Sequence, residues 1–325
     1  MPICAYHDRL KNFVNVHSHF DYGLVSQALC AAIKILLREY VLLINQLDNE
    51  FTKGELNLQK LWFYIQPSLR VMENLMGIIY ECEKLKGGAL LSGLFKLLKN
   101  STDEQTFQVY QFLLDKAFVP YCDMLSKWLY HGVIDDTYEE FMIKERKELN
   151  KENINKDFKD NYWEKRFTIR EDITPIFLNK FQNEILLTGK YLNVIRECQR
   201  NIECPFADEL SANYETYIKT MDFTEPILKA YEFANYHLTN LVLVEEQLMN
   251  RLRSIKHYFF LDLGDFFVHF MDSAEDELNK PVKNVSKEKI ESLLEMSLRT
   301  SSANADPFKD DLVCELLNYT LPEQV

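Results

Sequence analysis

An all-α fold is what this sequence predicts, on three observations. Glycine and proline are scarce, nine of each in 325 residues, where average usage gives roughly 23 and about 16. Tight turns and parallel-sheet loops consume glycine, so its scarcity favours long helices with few connections. Apolar residues recur at helical spacing through most of the chain. Hydrophobic residues make up 47% and charged residues 27%, the balance of a globular chain long enough for two domains or one large one.

Taken in order, residues 1–22 read as an irregular N-terminal segment. From Leu24 to Phe51 the polar residues Gln27, Lys34, Arg38, Asn45 and Asn49 form one narrow wet stripe on an otherwise apolar helix. A second helix spans Leu58–Leu85, with Pro67 expected to kink or restart it. Gly87-Gly88 breaks the pattern before a short apolar piece, Ala89–Leu98. Ser101 and Glu104 have the spacing of a capping box. They open a helix toward Tyr130 that Pro120 is expected to interrupt and Gly132 to end.

Asp135–Asp172 is the most charged part and reads as a solvated helix laced with ion pairs, anchored by Phe158, Tyr162, Trp163 and Phe167. A helix over Pro175–Leu187 is expected to end at Gly189, with shorter pieces at Tyr191–Cys198 and Phe206–Tyr217. Asp222–Ile255 reads as one long helix starting near Pro226. Leu252–Leu278, apolar over most of its circumference, reads as a central core helix stopped by Pro281. Ser286 caps a last amphipathic helix to Leu298, and Asp306-Pro307 begins a terminal turn.

The net charge is −13 and the isoelectric point about 5.1. An acidic chain is a poor match for nucleic acid, whose affinity comes largely from Lys and Arg neutralising phosphates, and for an anionic membrane surface. No run of 18 apolar residues and no secretory signal is visible. The seven cysteines are odd in number, form no CxxC and sit in apolar stretches, as reduced buried thiols do.

Two constellations could carry chemistry. Val14-Asn15-Val16-His17-Ser18-His19 resembles an apolar strand ending in His-x-His, as in metal-dependent amidohydrolases, which need further histidines and a succession of βα units. Neither follows. Asp262, Asp265, His269, Asp272 and Asp276 line one helical face, but hard cations usually draw oxygen ligands from a folded loop or from facing helices. The reading is therefore a non-enzyme, with no catalytic, metal or cofactor site. Trp62, Trp163, Phe266 and Phe267 read as core rather than contact.

Five segments in order carry a family resemblance: Leu61–Pro67 (LWFYIQP), Asn161–Ile169 (NYWEKRFTI), Gly189–Cys198 (GKYLNVIREC), Arg253–Asp272, and Ser302–Leu312 (SANADPFKDDL). Together they resemble the gamma-tubulin complex components, the grip-motif proteins, and within them the component 2 branch. The resemblance implies an elongated array of helical bundles. It places an N-terminal grip domain for lateral assembly at 23–248 and the start of a C-terminal grip domain at 249–325, with the boundary near Leu243–Leu252. It implies component 3 and related components as lateral partners, gamma-tubulin as the ligand of the second domain, and a structural role in microtubule nucleation at centrosomes and spindle poles. Surface residues of the 24–51 and 58–85 helices are expected to contribute to lateral contact. Thr137 stands where the family usually carries proline. On this resemblance the chain stops at Val325 short of most of the second domain, so a truncated form with gamma-tubulin binding weakened or lost is expected. The alternative without the resemblance is an acidic helical tether with unrelated partners.

Overall fold

The computed structural model describes residues 2–146, 162–200, 202–207, 209–262, 264–280 and 285–315. It is an all-α protein: among the described residues the β-structure is one two-stranded ribbon. The chain divides into two compact units, Met1–Leu238 and Thr239–Val325.

The first unit contains α1 (Pro2–His17), α2 (Leu24–Thr52), α3 (Leu58–Cys82), α4 (Gly87–Asn100) and α5 (Glu104–His131). A ribbon follows, with β1 (Ile143–Glu145) antiparallel to β2 (Phe167–Ile169) and Lys144 opposite Thr168; α6 (Tyr162–Arg166) leads into β2. Then come α7 (Gln182–Glu197), α8 (Glu209–Thr220) and α9 (Thr224–Asn240).

The organising element is α5, which packs on α2, α3, α4, α7 and α8. Its burial explains this: Leu113, Leu114, Ala117, Phe118, Tyr121, Leu125 and Trp128 point around most of its circumference and are sealed from solvent. Phe118 also joins a ring triad with Phe177 and Phe223, centroids 5.5–5.8 Å apart. Each such pair adds about 0.5–1.5 kcal/mol beyond area burial. Asn57 caps α3 by accepting from Lys60 N at 2.9 Å.

The N-terminus of α2 is capped from far along the chain. The buried Glu140 carboxylate accepts from Leu24 N at 2.7 Å and Val25 N at 3.2 Å. Gly23 makes room for it: φ is +90°, and a Cβ there would stand 2.3 Å from the carboxylate. Glu140 is itself held by Asp136, which accepts from its backbone N–H and pairs with Arg170.

The second unit holds α10 (Leu248–Phe259), α11 (Asp265–Leu278) and α12 (Lys287–Thr300) around Tyr258, Phe266, Leu294, Leu298 and Ala303. Glu277 joins α11 to α12, 2.7 Å from both Lys280 and Lys289. Ser254 donates to Asp306 at 2.7 Å, which pins the 302–305 turn to α10.

Several expectations are corrected. Residues 2–17 are helical, because Ile3, Leu10, Phe13, Val14 and His17 make one buried stripe. Helices α3 and α5 continue through Pro67 and Pro120. Ser101 does not form a capping box: its hydroxyl turns back to Leu98 O, and Asp103 occupies the cap position. The described part of 135–172 is loop, ribbon and the five-residue α6 rather than one long helix. Phe158 and most of the interleaved charges lie outside the described residues, as does Pro281. Gly189 does not end a helix; α7 runs through it.

Asp222–Ile255 is two helices, separated by a π-helical turn at Leu241–Glu245 and by Gln247 at φ +48°. The wide turn and the reversal rotate the pattern, so Leu248, Leu252 and Ile255 are exposed. Leu252–Leu278 likewise breaks after Phe259, with Leu261 at φ +54°. Cys4 and Cys198 are exposed rather than buried. Ser286 stands at the cap of α12, but its side chain makes no cap hydrogen bond.

Candidate assembly surface

The sequence-derived chemical candidates disperse. His17 ends α1 with its ring stacked on Phe13, centroids 4.0 Å apart, and its Nδ1 lies 3.2 Å from Phe13 O. His19 lies beyond the helix and is exposed. Neither is on a strand, because Val14 and Val16 belong to the last turn of α1. The acidic row also separates. Asp262 falls between helices and pairs with Lys256 at 3.1 Å and His257 at 3.3 Å. Asp265 accepts from Ser302 N at 2.7 Å. Asp272, Asp276 and His269 are exposed along α11. Among the described residues no three His, Cys, Asp or Glu side chains gather as metal ligands would.

What the fold does collect is exposed apolar surface. In the first unit Phe51 at the end of α2 and Leu58, Trp62 and Phe63 at the start of α3 flank one short connection. Leu58 is 79% and Trp62 56% exposed, which corrects the core assignment of Trp62. The turn at 53–57 and the cap at Asn57 hold these residues on the outside, while Ile65, Met72 and Leu75 take the inward face of α3. Trp163 is partly buried against the core.

In the second unit, α10 buries Ser254 and Tyr258 and turns Leu248, Leu252, Ile255 and Phe259 outward at steps of four, three and four. On α11, Phe266 is buried while Phe267, Val268 and Met271 are exposed, correcting Phe267. Soluble proteins rarely leave contiguous apolar stripes of this kind without a binding role. No described helix is long and apolar enough to cross a membrane. Periodicity finds these stripes but not which of them the fold leaves uncovered.

Two of the motifs that carry the family resemblance are internal joints. In Gly189–Cys198, Asn193 donates to Gly132 O at 2.7 Å and Gly189 O at 2.8 Å, tying α7 to the end of α5. A Cβ on Gly189 would lie 2.0 Å from Trp128, whose Nε1 donates to Ile185 O at 2.7 Å. In Asn161–Ile169, the Arg166 guanidinium lies 5.1 Å from the Phe167 ring and pairs with Glu145 and Glu197.

Residues 1–245 match the family model described as gamma tubulin complex component N-terminal, and residues 248–325 match gamma tubulin complex component C-terminal. Gamma-tubulin complex component 2 of Mus musculus is 43% identical over 328 aligned residues, covering 100% of this chain and 36% of the relative. Component 2 of Arabidopsis thaliana is 39% identical, over 96% of this chain and 46% of the relative. Gamma-tubulin complex component 3 of Homo sapiens is 25% identical, over 92% and 34%. The chain thus spans less than half the length of the curated relatives it matches. The two adjoining model matches and the component 2 identities show that this chain belongs to the gamma-tubulin complex component family.

Proposed function

We propose that this chain is a structural, non-catalytic subunit of a gamma-tubulin complex. It assembles side by side with related components, component 3 among them, and so contributes to templating microtubule nucleation at centrosomes and spindle poles. The observation that carries the reading is the match of the whole chain to component 2 proteins across both family regions. The exposed apolar residues flanking the α2–α3 connection support a lateral contact made by the first unit. Assignment of 23–248 to lateral assembly and of 249–325 to the gamma-tubulin-facing domain is part of the same proposal. The two model matches meet between 245 and 248, and the helix break at Gln247 falls there too.

The test is size-exclusion co-elution of the 325-residue chain with component 3 and with gamma-tubulin, each separately. Co-elution with component 3, lost in a Leu58→Asp/Trp62→Asp variant of unchanged helicity, is the expected result. Failure to co-elute with component 3 overturns the lateral reading.

A further inference from the structure

Helices α1 and α2 form an antiparallel hairpin through the 20–22 turn, with His7 beside Tyr40, ring centroids 5.7 Å apart. Between them runs a groove of about 560 Å3. Its floor is apolar: Val14 and Leu37 are buried beneath it, and the exposed Val41 and Leu42 form one wall. Its rim is basic, with Lys11 on α1 and Lys34 and Arg38 on α2, all exposed. Among the described residues none of the three has an ion-pair partner and no carboxylate lines the groove. Asp8 stands 3.6 Å from His7 Nδ1 but is not a lining residue. In a chain of net charge −13, a trough lined by three cations and no acid is a local inversion of the protein's field.

We infer that this groove docks an acidic amphipathic helix of a separate protein, laid along α1 and α2 with its apolar stripe on Val14, Leu37 and Leu42 and its carboxylates toward Lys11, Lys34 and Arg38. The geometry suits a third helix, because side chains of one helix settle between two others at the usual interaxial spacing of about 8–10 Å. A helix lying along α1 is about 24 Å long, four to five turns. Charge selects the partner: a basic helix meets three cations of its own sign, while an acidic one neutralises them. A phospholipid surface fits less well, since it cannot enter a trough between two helices and is repelled by the acidic remainder of the chain. The inference goes beyond the lateral assembly proposed above and rests on residues other than those at the α2–α3 connection.

The experiment is fluorescence polarisation on the full chain with two labelled, hydrocarbon-stapled helical peptides. Both carry leucine at three–four spacing; one carries glutamate and the other lysine at the flanking positions. The glutamate peptide is expected to bind saturably and the lysine peptide not to bind. Lys34→Glu/Arg38→Glu is expected to weaken binding roughly ten- to thirtyfold, two exposed attractions having become repulsions. Leu42→Asp, which changes only an exposed wall residue, is expected to weaken binding without loss of helicity. Equal binding of both peptides, binding of neither, or indifference to these substitutions overturns the inference. So does recruitment of the chain to phosphatidylserine vesicles through the same residues.

Discussion

Replacing Gly189 by alanine tests how closely α7 and α5 approach. In an exposed helix the change stabilises, by about 1 kcal/mol of helix propensity. Here the added Cβ stands 2.0 Å from Trp128 Cε2 and 2.1 Å from Cζ2. Carbon atoms pack at about 3.5–4.0 Å, so the ring or α7 must move by about 1.5 Å. Trp128 has no space to yield, being fully buried and touching Phe167 at 5.1 Å between centroids. Displacing it also strains the 2.7 Å bond from Nε1 to Ile185 O, worth about 1 kcal/mol net. Overpacking of this kind costs about 1–3 kcal/mol and occasionally more. With the propensity gain and the hydrogen-bond loss offsetting one another, the net loss is about 3 kcal/mol at the upper end of that range. For a unit of this size that lowers the melting temperature by about 6–12 °C. The assay is thermal unfolding of the full chain by circular dichroism, for Gly189→Ala, Trp128→Phe and the double variant. The clash demands that the double variant be more stable than the sum of the single losses, by about 1 kcal/mol or more. A Gly189→Ala protein that melts at or above the parent temperature refutes the reasoning, and so does simple additivity.

Three further outcomes follow from the structure. Burial raises the Glu140 carboxyl above its ordinary value despite the N–H groups of Val25 and Leu24 that favour its charged form. The folded state therefore holds this proton more tightly than the unfolded chain, and its contribution to stability declines as pH rises from about 4.5 through the folded value. Glu140→Gln should flatten that decline, and Glu140→Ala should cost about 1–2 kcal/mol through loss of the α2 cap; urea titrations across pH 4–7 measure both. Glu277 behaves oppositely: its hydrogen bonds to Lys280 and Lys289 depress it to about 2. Its contribution is complete above about 4.5 and is lost as pH falls toward about 2, so Glu277→Gln should speed hydrogen exchange at neutral pH in peptides from 265–280 and 285–300, and equal rates count against the clamp. Tyr80, exposed on α3 away from the connection residues, should tolerate Tyr80→Ala within about 0.5 kcal/mol and without loss of component 3 co-elution.

The parts of the fold that local chemistry controls were legible. The α2 helix follows from its single polar stripe, α12 from its amphipathic run, and the end of α5 from Gly132, which takes φ +60°. Prolines and glycines misled where tertiary contacts govern them. Pro120 removes a backbone donor, yet α5, packed against neighbouring helices, continues through it. Gly189 reads as a terminator in sequence and serves instead as clearance for an indole. The cap on α2 was invisible in principle: Glu140 lies 116 residues from Leu24, and no local pattern links the two. The histidines and aspartates that suggested chemistry scattered because one residue of phase or one break in a helix redirects a whole row.

The error over Leu252–Leu278 says most about function. A helix apolar on several sides was taken to be core, on the rule that such surface must be covered. Within its own compact unit the surface is not covered: Phe259 is 71% exposed, and its row on α10 faces outward. A family whose members are named as components of a complex has two reasons to keep apolar residues, folding and association, and hydrophobic periodicity records both without distinguishing them. The distinction comes from the inward contacts. Ser254 and Tyr258 occupy the buried side of α10, and the larger apolar residues on the opposite side are left exposed. The same reasoning separates Ile65, Met72 and Leu75 from Leu58 and Trp62 on α3. The exposure of these residues is an observation separate from sequence identity, and it supports the assembly proposal.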